Sequence, residues 1–433
     1  PISGFPIYKA LLCEVKRAAD AGDTLALDTG ETCQVDLTAA AATPVAAQDR
    51  IYLDHNATTP THPEVKEAVC RVLENQFGNP SSIYQEGRRA RSALEEARRK
   101  LANLLGTTAR RLIFTGGGSE ANNLVIKGVA AASTNTRRQV ITSTIEHPSV
   151  LKVCQWLEKQ GYPVTYLPVD QYGRVRPEDL EEALSPDTCL VSIMLANNET
   201  GSIQPIRELA ALARAHGALF HTDGVQALGK IPLDVEALGV DFFSLSGHKF
   251  HGPKGIGALY IRKGLEVEPL VHGGGQEGGR RAGTENTPGI VGVGVAAELA
   301  EKRLSDMDRV QTLRDELWEG IVKVFPGARL NGHPTERLPN TLNLSLPGIR
   351  GESLVLALDQ QGISFSSGSA CRSGSPQPSH ALLAMGLSEE QAHCAIRLSL
   401  GVDTTSAHID RTLAALEKMV DDSLSSVRFV PCR

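Results

Sequence analysis

Phe243-Ser244-Leu245-Ser246-Gly247-His248-Lys249 is an apolar run that ends in small and polar residues and then a lysine. A strand stopping on Ser-Gly-His-Lys brings a hydroxyl, an imidazole and an amine to one rim. Upstream, Ala218-Leu219-Phe220-His221-Thr222 is a second apolar run that ends on Asp223, with Gln226 following in Asp-Gly-Val-Gln. Between Gln139 and Ile261 the pattern alternates: strands over 139–144, 163–169, 189–197, 218–222, 242–246 and 256–261, and helices over 148–160, 176–184 and 205–216. Such alternation predicts an α/β fold, a mostly parallel sheet flanked by helices, with functional groups gathered where strands end. Glu146-His147-Pro148 and Asn197-Asn198-Glu199 occupy two more strand ends.

A lysine able to form a Schiff base, together with a carboxylate able to keep a pyridinium nitrogen protonated, is what pyridoxal phosphate chemistry requires of a protein. Lys249 and Asp223 supply that pair. Gly116-Gly117-Gly118-Ser119 lies between a strand over 112–115 and an apolar helix reaching Ala132. Glycines there let backbone N–H groups approach an anion at a helix N-terminus, and Ser119 adds a hydroxyl. The turn matches neither the dinucleotide fingerprint nor the P-loop lysine pattern, which disfavours a nucleotide.

The chain has 433 residues and a net charge of −6, with acids and bases interspersed, so no nucleic acid binding is expected. No apolar run approaches the roughly 20 residues of a membrane span, and a soluble, cytoplasmic protein is expected. The eight cysteines form no CxxC pair, which argues against a zinc site or a disulfide framework. Residues 1–48, with Cys13 and Cys33, read as an N-terminal extension without recognisable chemistry. Residues 49–305 are expected to form a large cofactor-binding domain and 306–433 a small α+β domain, with 49–62 able to pack on the latter. The arginines from Arg88 to Arg99 alternate with glutamates as on a salt-laced helix surface. One helix is expected from Pro288 through Arg314. Gly273 to Thr287 is too glycine-rich for a regular element and reads as a mobile loop or as an arm approaching another backbone.

Ser246-Gly247-His248-Lys249, Asp223-Gly224-Val225-Gln226, Glu146-His147-Pro148, Asn197-Asn198-Glu199-Thr200-Gly201 and Ser366-Ser367-Gly368-Ser369-Ala370-Cys371 together resemble the cysteine desulfurases of the class V aminotransferase group, which are fold type I pyridoxal phosphate enzymes. The likeness runs from about Arg50 to about Leu424 and leaves residues 1–48 unexplained. It implies pyridoxal 5'-phosphate as cofactor, Lys249 as its covalent anchor, Asp223 at the pyridine nitrogen, Gln226 as donor to the phenolic oxygen and His147 stacked on the ring, where it also moves protons. Gly118, Ser119, Ser246 and His248 then form the phosphate cup, and the partner subunit's Thr284 completes it, which implies a homodimer. Asn198 and Arg397 would hold the carboxylate of the substrate L-cysteine. Cys371, in a Ser- and Gly-rich run beside Arg372, would be the nucleophile, taking sulfur as a persulfide and leaving L-alanine. From there the sulfur would go to an acceptor protein in iron–sulfur cluster assembly or tRNA thiolation.

Three other functions fit part of the pattern. Selenocysteine lyase shares the fold and cofactor and resembles the stretches 194–201 and 283–288. The Ser-rich approach to Cys371 is closer to the desulfurases. A catalytically idle protein that binds the cofactor or a sulfur acceptor has no use for lysine, aspartate, histidine and cysteine retained together. An ordinary aminotransferase gives Cys371 no task.

Overall fold

The computed structural model describes residues 50–133, 137–368 and 377–425, with side chains through Val420. The extension 1–48 and the expected nucleophile Cys371 lie outside the described residues.

A seven-stranded sheet has the spatial order Leu112–Thr115, Gly257–Ile261, Phe242–Ser246, Leu219–Asp223, Thr188–Ser192, Gln139–Ser143, Val164–Leu167. Gly257–Ile261 runs antiparallel to both its neighbours and the other pairings are parallel. This is the fold class expected from the alternation. Central strands such as Phe242–Ser246 are buried on both faces, which explains why they read as continuous apolar runs. Successive side chains point to opposite faces. Phe242 therefore joins a cluster under the helices Gly118–Ala132 and Pro148–Lys159, while Phe243 joins one under Gln85–Leu104, Ile206–Ala215 and Thr287–Lys302.

A second, four-stranded antiparallel sheet is ordered Ser366–Ser367, Ala395–Ser399, Thr341–Ser345, Arg329–Asn331. Helices Asp306–Val324, Gly351–Gln360 and Ser406–Ser425 accompany it. Ile51–Tyr52 pairs in parallel with Ile363–Ser364, and Ile51 and Leu53 are buried with Leu317, Leu344 and Leu398. The chain thus starts its described course against the second sheet before entering the first.

Four local expectations are revised. The strand over 189–197 ends as a regular element at Ser192; Ile193 N and Leu195 N still donate to His221 O and Asp223 O, and a buried turn follows in which Asn197 Oδ1 accepts the N–H groups of Glu199 and Thr200, both at 2.9 Å. The long helix from Pro288 breaks at Lys302 and restarts at Asp306, where Asp306 and Asp308 place acidic side chains in a first turn. The strand over 363–366 divides, Ile363–Ser364 pairing in one sheet and Ser366–Ser367 in another. Arg98 is no surface residue: it is buried under the Phe114 ring side and grips Glu277 through two bonds of 2.7 and 2.8 Å. Glu277 belongs to the glycine-rich arm, so a bidentate buried pair fixes one point of that arm to the body.

Candidate active site

Gly118, Ser119, Asn122, His147, Ser149, Asn198, Asp223, Gln226, Ser246, His248 and Lys249 line one cavity of about 640 Å³ of empty space, open to solvent. Each arrives from a strand end or the turn behind it. Asp223 closes Leu219–Asp223, Ser246 closes Phe242–Ser246, and Lys249 ends the single helical turn Gly247–Lys249 that follows. Parallel strands in register set these ends side by side, Asp223 opposite Ser244. Gly224 lets the chain turn there, since a Cβ on it would fall 1.9 Å from the Phe243 ring.

The cradle is built by close approach. Gly117 has φ +153° and precedes the helix Gly118–Ala132, and a Cβ on Gly118 would lie 2.6 Å from Val225. Only a bare backbone fits between the helix start and the Asp223 turn. With Ser119, Ser246 and His248 around it, the N-terminus of a 15-residue helix presents donors to an anion. Burial, then Lys249 and Lys254, push the His248 imidazole down to about 4, and its Nδ1 lies 3.1 Å from Thr58 Oγ1.

Asp223 is held at the opposite end. Its Oδ1 accepts from Val225 N at 3.0 Å and its Oδ2 from Asn122 Nδ2 at 2.7 Å. Asn122 also donates to Ser149 Oγ at 2.9 Å, and that hydroxyl lies 2.8 Å from His147 Nδ1. His147 caps the helix Pro148–Lys159, its Nδ1 accepting from Ser149 N at 3.1 Å. With Nδ1 an acceptor, the neutral ring carries its proton on Nε2. Burial lowers its pKa, with Asp223 opposing and Lys249 and His380 adding to the depression. Asn122 and Ser149 were not singled out in the sequence. Asn122 lies three residues after Ser119, on the same helix face, and that spacing was the available signal.

Lys249 Nζ donates to the carbonyls of Asn56 and Ala57 at 2.6 and 2.8 Å. Gln226 Nε2 donates to the same Asn56 carbonyl at 2.9 Å, while its Oε1 accepts from Lys230 at 2.9 Å. The expected donor to a phenolic oxygen thus has one hydrogen already engaged. Asn198 lines the cavity, and its carbonyl accepts from Arg397 Nη1 at 3.0 Å. Arg397 does not line it. Its guanidinium is buried, with Nη2 at 2.7 Å from Asp54 Oδ1 and 3.1 Å from Ser366 Oγ. Thr284 is exposed on the arm and takes no part in its own chain's cavity.

Beyond the undescribed segment carrying Cys371, the chain is tied down at once. Ser379 Oγ donates to Glu199 and accepts from Leu382 N as the cap of helix His380–Ala384, and His380 Nε2 lies 3.0 Å from the Glu146 carbonyl. Both glutamates are buried, and burial raises both carboxyls, Glu146 to about 8.

The chain is similar to known proteins over most of its length. Residues 51–412 match the class-V aminotransferase family. Cysteine desulfurase IscS of Methanosarcina thermophila is 51% identical over 371 residues, 86% of this chain and 92% of that one. Cysteine desulfurase IscS of Dictyoglomus turgidum is 50% identical over 86% of this chain and 94% of its own. A solved NifS-like protein superposes with a TM-score of 0.81 at 41% identity, covering 86% of this chain and 99% of that chain. Among the described residues no helix is long and apolar enough to cross a membrane. The chain is therefore a member of the class-V aminotransferase family and, within it, a cysteine desulfurase.

Proposed function

We propose that the cavity holds pyridoxal 5'-phosphate and L-cysteine, and that sulfur leaves the substrate for Cys371 and then for an acceptor protein. The observation that carries this reading is the convergence of Lys249, Asp223, His147 and a bare-backbone anion cradle on one cavity. The residues fit the group. Phosphate suits Gly118, Ser119, Ser246 and His248 at the helix N-terminus, Asp223 suits a protonated ring nitrogen, and Lys249 is within the same walls. When bound, the cofactor supplies an electron sink for the charge left at the substrate Cα.

The protein's own groups divide the remaining work. Asp223 is oriented by Asn122 and Val225, so the protein's own groups fix the direction its oxygens face. His147, neutral and with Nδ1 saturated by Ser149, offers only Nε2 for proton movement. Lys249, on the same wall, would anchor the cofactor and would be the second group able to carry a proton. Asn198 lines the place of the substrate. Arg397 is held by Asp54, Ser366 and the Asn198 carbonyl, and its buried Nε–H is left without a hydrogen-bond partner. Cys371 thiolate attacks the substrate sulfur, the Cβ–S bond breaks, its electron pair passes to the carbon side, and L-alanine leaves after protonation.

We further read residues 49–305 as the large domain and 306–433 as the small one, with the 49–62 segment against the latter. The dimer is supported by four exposed apolar side chains, Leu73, Phe77, Ile83 and Tyr84, in one short segment. A free thiol nucleophile and a thiol substrate require a reducing compartment, which favours the cytoplasm.

The test is incubation of the pyridoxal phosphate-loaded protein with cysteine, followed by peptide mapping. One added sulfur on Cys371 is expected, with alanine formed in step. Cys371→Ser should cut alanine formation by more than about a hundredfold, the scale of losing a nucleophile, while the visible band persists. Undiminished alanine formation in that variant rejects the assignment.

A further inference from the structure

Lys230 is buried behind the cavity wall, seven residues past Asp223 and outside the set that lines the cavity. Its Nζ donates to Gln226 Oε1 at 2.9 Å and to Asn56 Oδ1 at 2.8 Å. Asn56 is itself held on every side. Its N–H donates to Ser399 Oγ at 2.9 Å, its Nδ2 to Thr341 Oγ1 at 2.9 Å, and its Oδ1 also accepts from Asn340 at 3.1 Å. Its carbonyl is the one that Gln226 and Lys249 share.

A lysine head has donors and no acceptor while protonated, so only the carbonyl end of the Gln226 carboxamide can face it. That settles which end of the amide is turned the other way. The carboxamide nitrogen carries two hydrogens, of which the Asn56 carbonyl takes one, and Gln226 lines the cavity. We propose that Lys230 is a positioning residue of the desulfurase reaction: by holding Gln226 Oε1 and Asn56 Oδ1 it keeps the amide N–H of Gln226, rather than its carbonyl, toward the cofactor's ring oxygen.

The inference rests on the pyridoxal phosphate reading of the cavity. Burial, with Lys249 and Arg397 nearby, lowers the pKa of Lys230; a neutral amine still has two hydrogens for its two acceptors, and the Asn56 carbonyl, which only accepts, holds the Gln226 nitrogen turned the other way in either state. The other charged and titratable groups around Lys230 and Lys249 include Arg397, His55, His62, His251 and Arg303 on one side, His147, His248 and Lys254 on the other and, across the cavity, Asp223. All are unchanged in the variants below.

The readout is the pH midpoint of the visible band of the pyridoxal phosphate-loaded protein without substrate. Removing a donor from beside the ring oxygen disfavours the deprotonated chromophore, so the midpoint moves up. Lys230→Met should raise it by about half a pH unit to one pH unit, the worth of one hydrogen bond. Gln226→Leu should raise it similarly, and adding Lys230→Met to Gln226→Leu should change nothing more. If Lys230→Met does not fold, Lys230→Gln serves instead, because it keeps a polar head but ends one bond short and carries no charge. An unmoved midpoint in the single variant overturns the proposal. So does a full Lys230→Met shift in the Gln226→Leu background, which makes the lysine act without the glutamine. A protein that takes up no pyridoxal phosphate, or a Lys249→Ala variant that keeps the band, sinks the cavity reading and the proposal with it.

Discussion

Glu146 neighbours His147 in sequence but works in the wall behind it. Its carboxyl accepts from Ser143 Oγ and, at 3.0 and 3.1 Å, from Met194 N, with no cation among the groups that shift it. Burial raises it from 4.5 to about 8 against the pull of those hydrogen bonds, and Asp223 adds to the rise. A carboxyl whose folded pKa exceeds its unfolded one contributes stability that is fully present below the unfolded value and is lost as pH rises through the folded value. The window is therefore from 4.5 up to about 8. From roughly pH 6 to about pH 8 the protein should lose about 2 kcal/mol on this account. Glu146→Gln should lose that much less over the same interval in urea titrations of the apoprotein. Equal slopes for the two proteins would mean that the carboxyl is already ionised at the lower pH.

At the scale of elements, Gly257–Ile261 decides how tightly the cradle closes, because it is the strand between the one feeding the glycine turn and the one feeding Lys249. A Cβ on Gly257 would lie 2.5 Å from Leu245 O and 2.7 Å from Gly117 Cα. Both are backbone atoms, and neither can turn aside. Gly257→Ala should cost about 1–3 kcal/mol in unfolding experiments, as overpacking does, and weaken pyridoxal phosphate retention by about tenfold or more. Gly161→Ala is the control. Its φ of +79° strains a Cβ that meets nothing within 4 Å, so stability falls and cofactor retention stays. The strands themselves were legible because a sheet buried on both faces writes continuous apolar runs, and Asp223, Ser246 and Lys249 were legible because they end such runs. Asn56, Lys230, Asn122 and Ser149 were not. Each also meets a partner distant in sequence, Lys230 with Asn56 and Asn122 with Asp223 and Ser149, and a polar residue among apolar ones does not say which such partner it meets. Arg98 shows the same limit from the other side: its helix carries a surface pattern of charges, and only the arm returning with Glu277 makes it an interior residue.

At the scale of the molecule, one arm has two fixed points and a free task. Glu277 is gripped by Arg98, and Arg281 Nε donates at 2.8 Å to Glu120 Oε1, whose other oxygen accepts Gly116 N at 2.8 Å in the cradle turn. Thr284 is exposed between these anchors and the helix at Thr287. On the proposed reading, an arm so fixed would present Thr284 to a second copy of the chain. Phe77 is 85% and Ile83 87% exposed, a loss of apolar burial that a second copy would recover. Phe77→Asp with Ile83→Asp should therefore give a monomer in sedimentation, with weakened pyridoxal phosphate retention because the partner subunit's Thr284 is gone. Thr284→Ala should weaken retention by several-fold while the sedimenting mass stays that of a dimer, since it removes about one hydrogen bond to phosphate. A double aspartate variant that still sediments as a dimer would assign the apolar segment to another contact. A Thr284→Ala protein with undiminished retention would leave the arm's threonine outside the site.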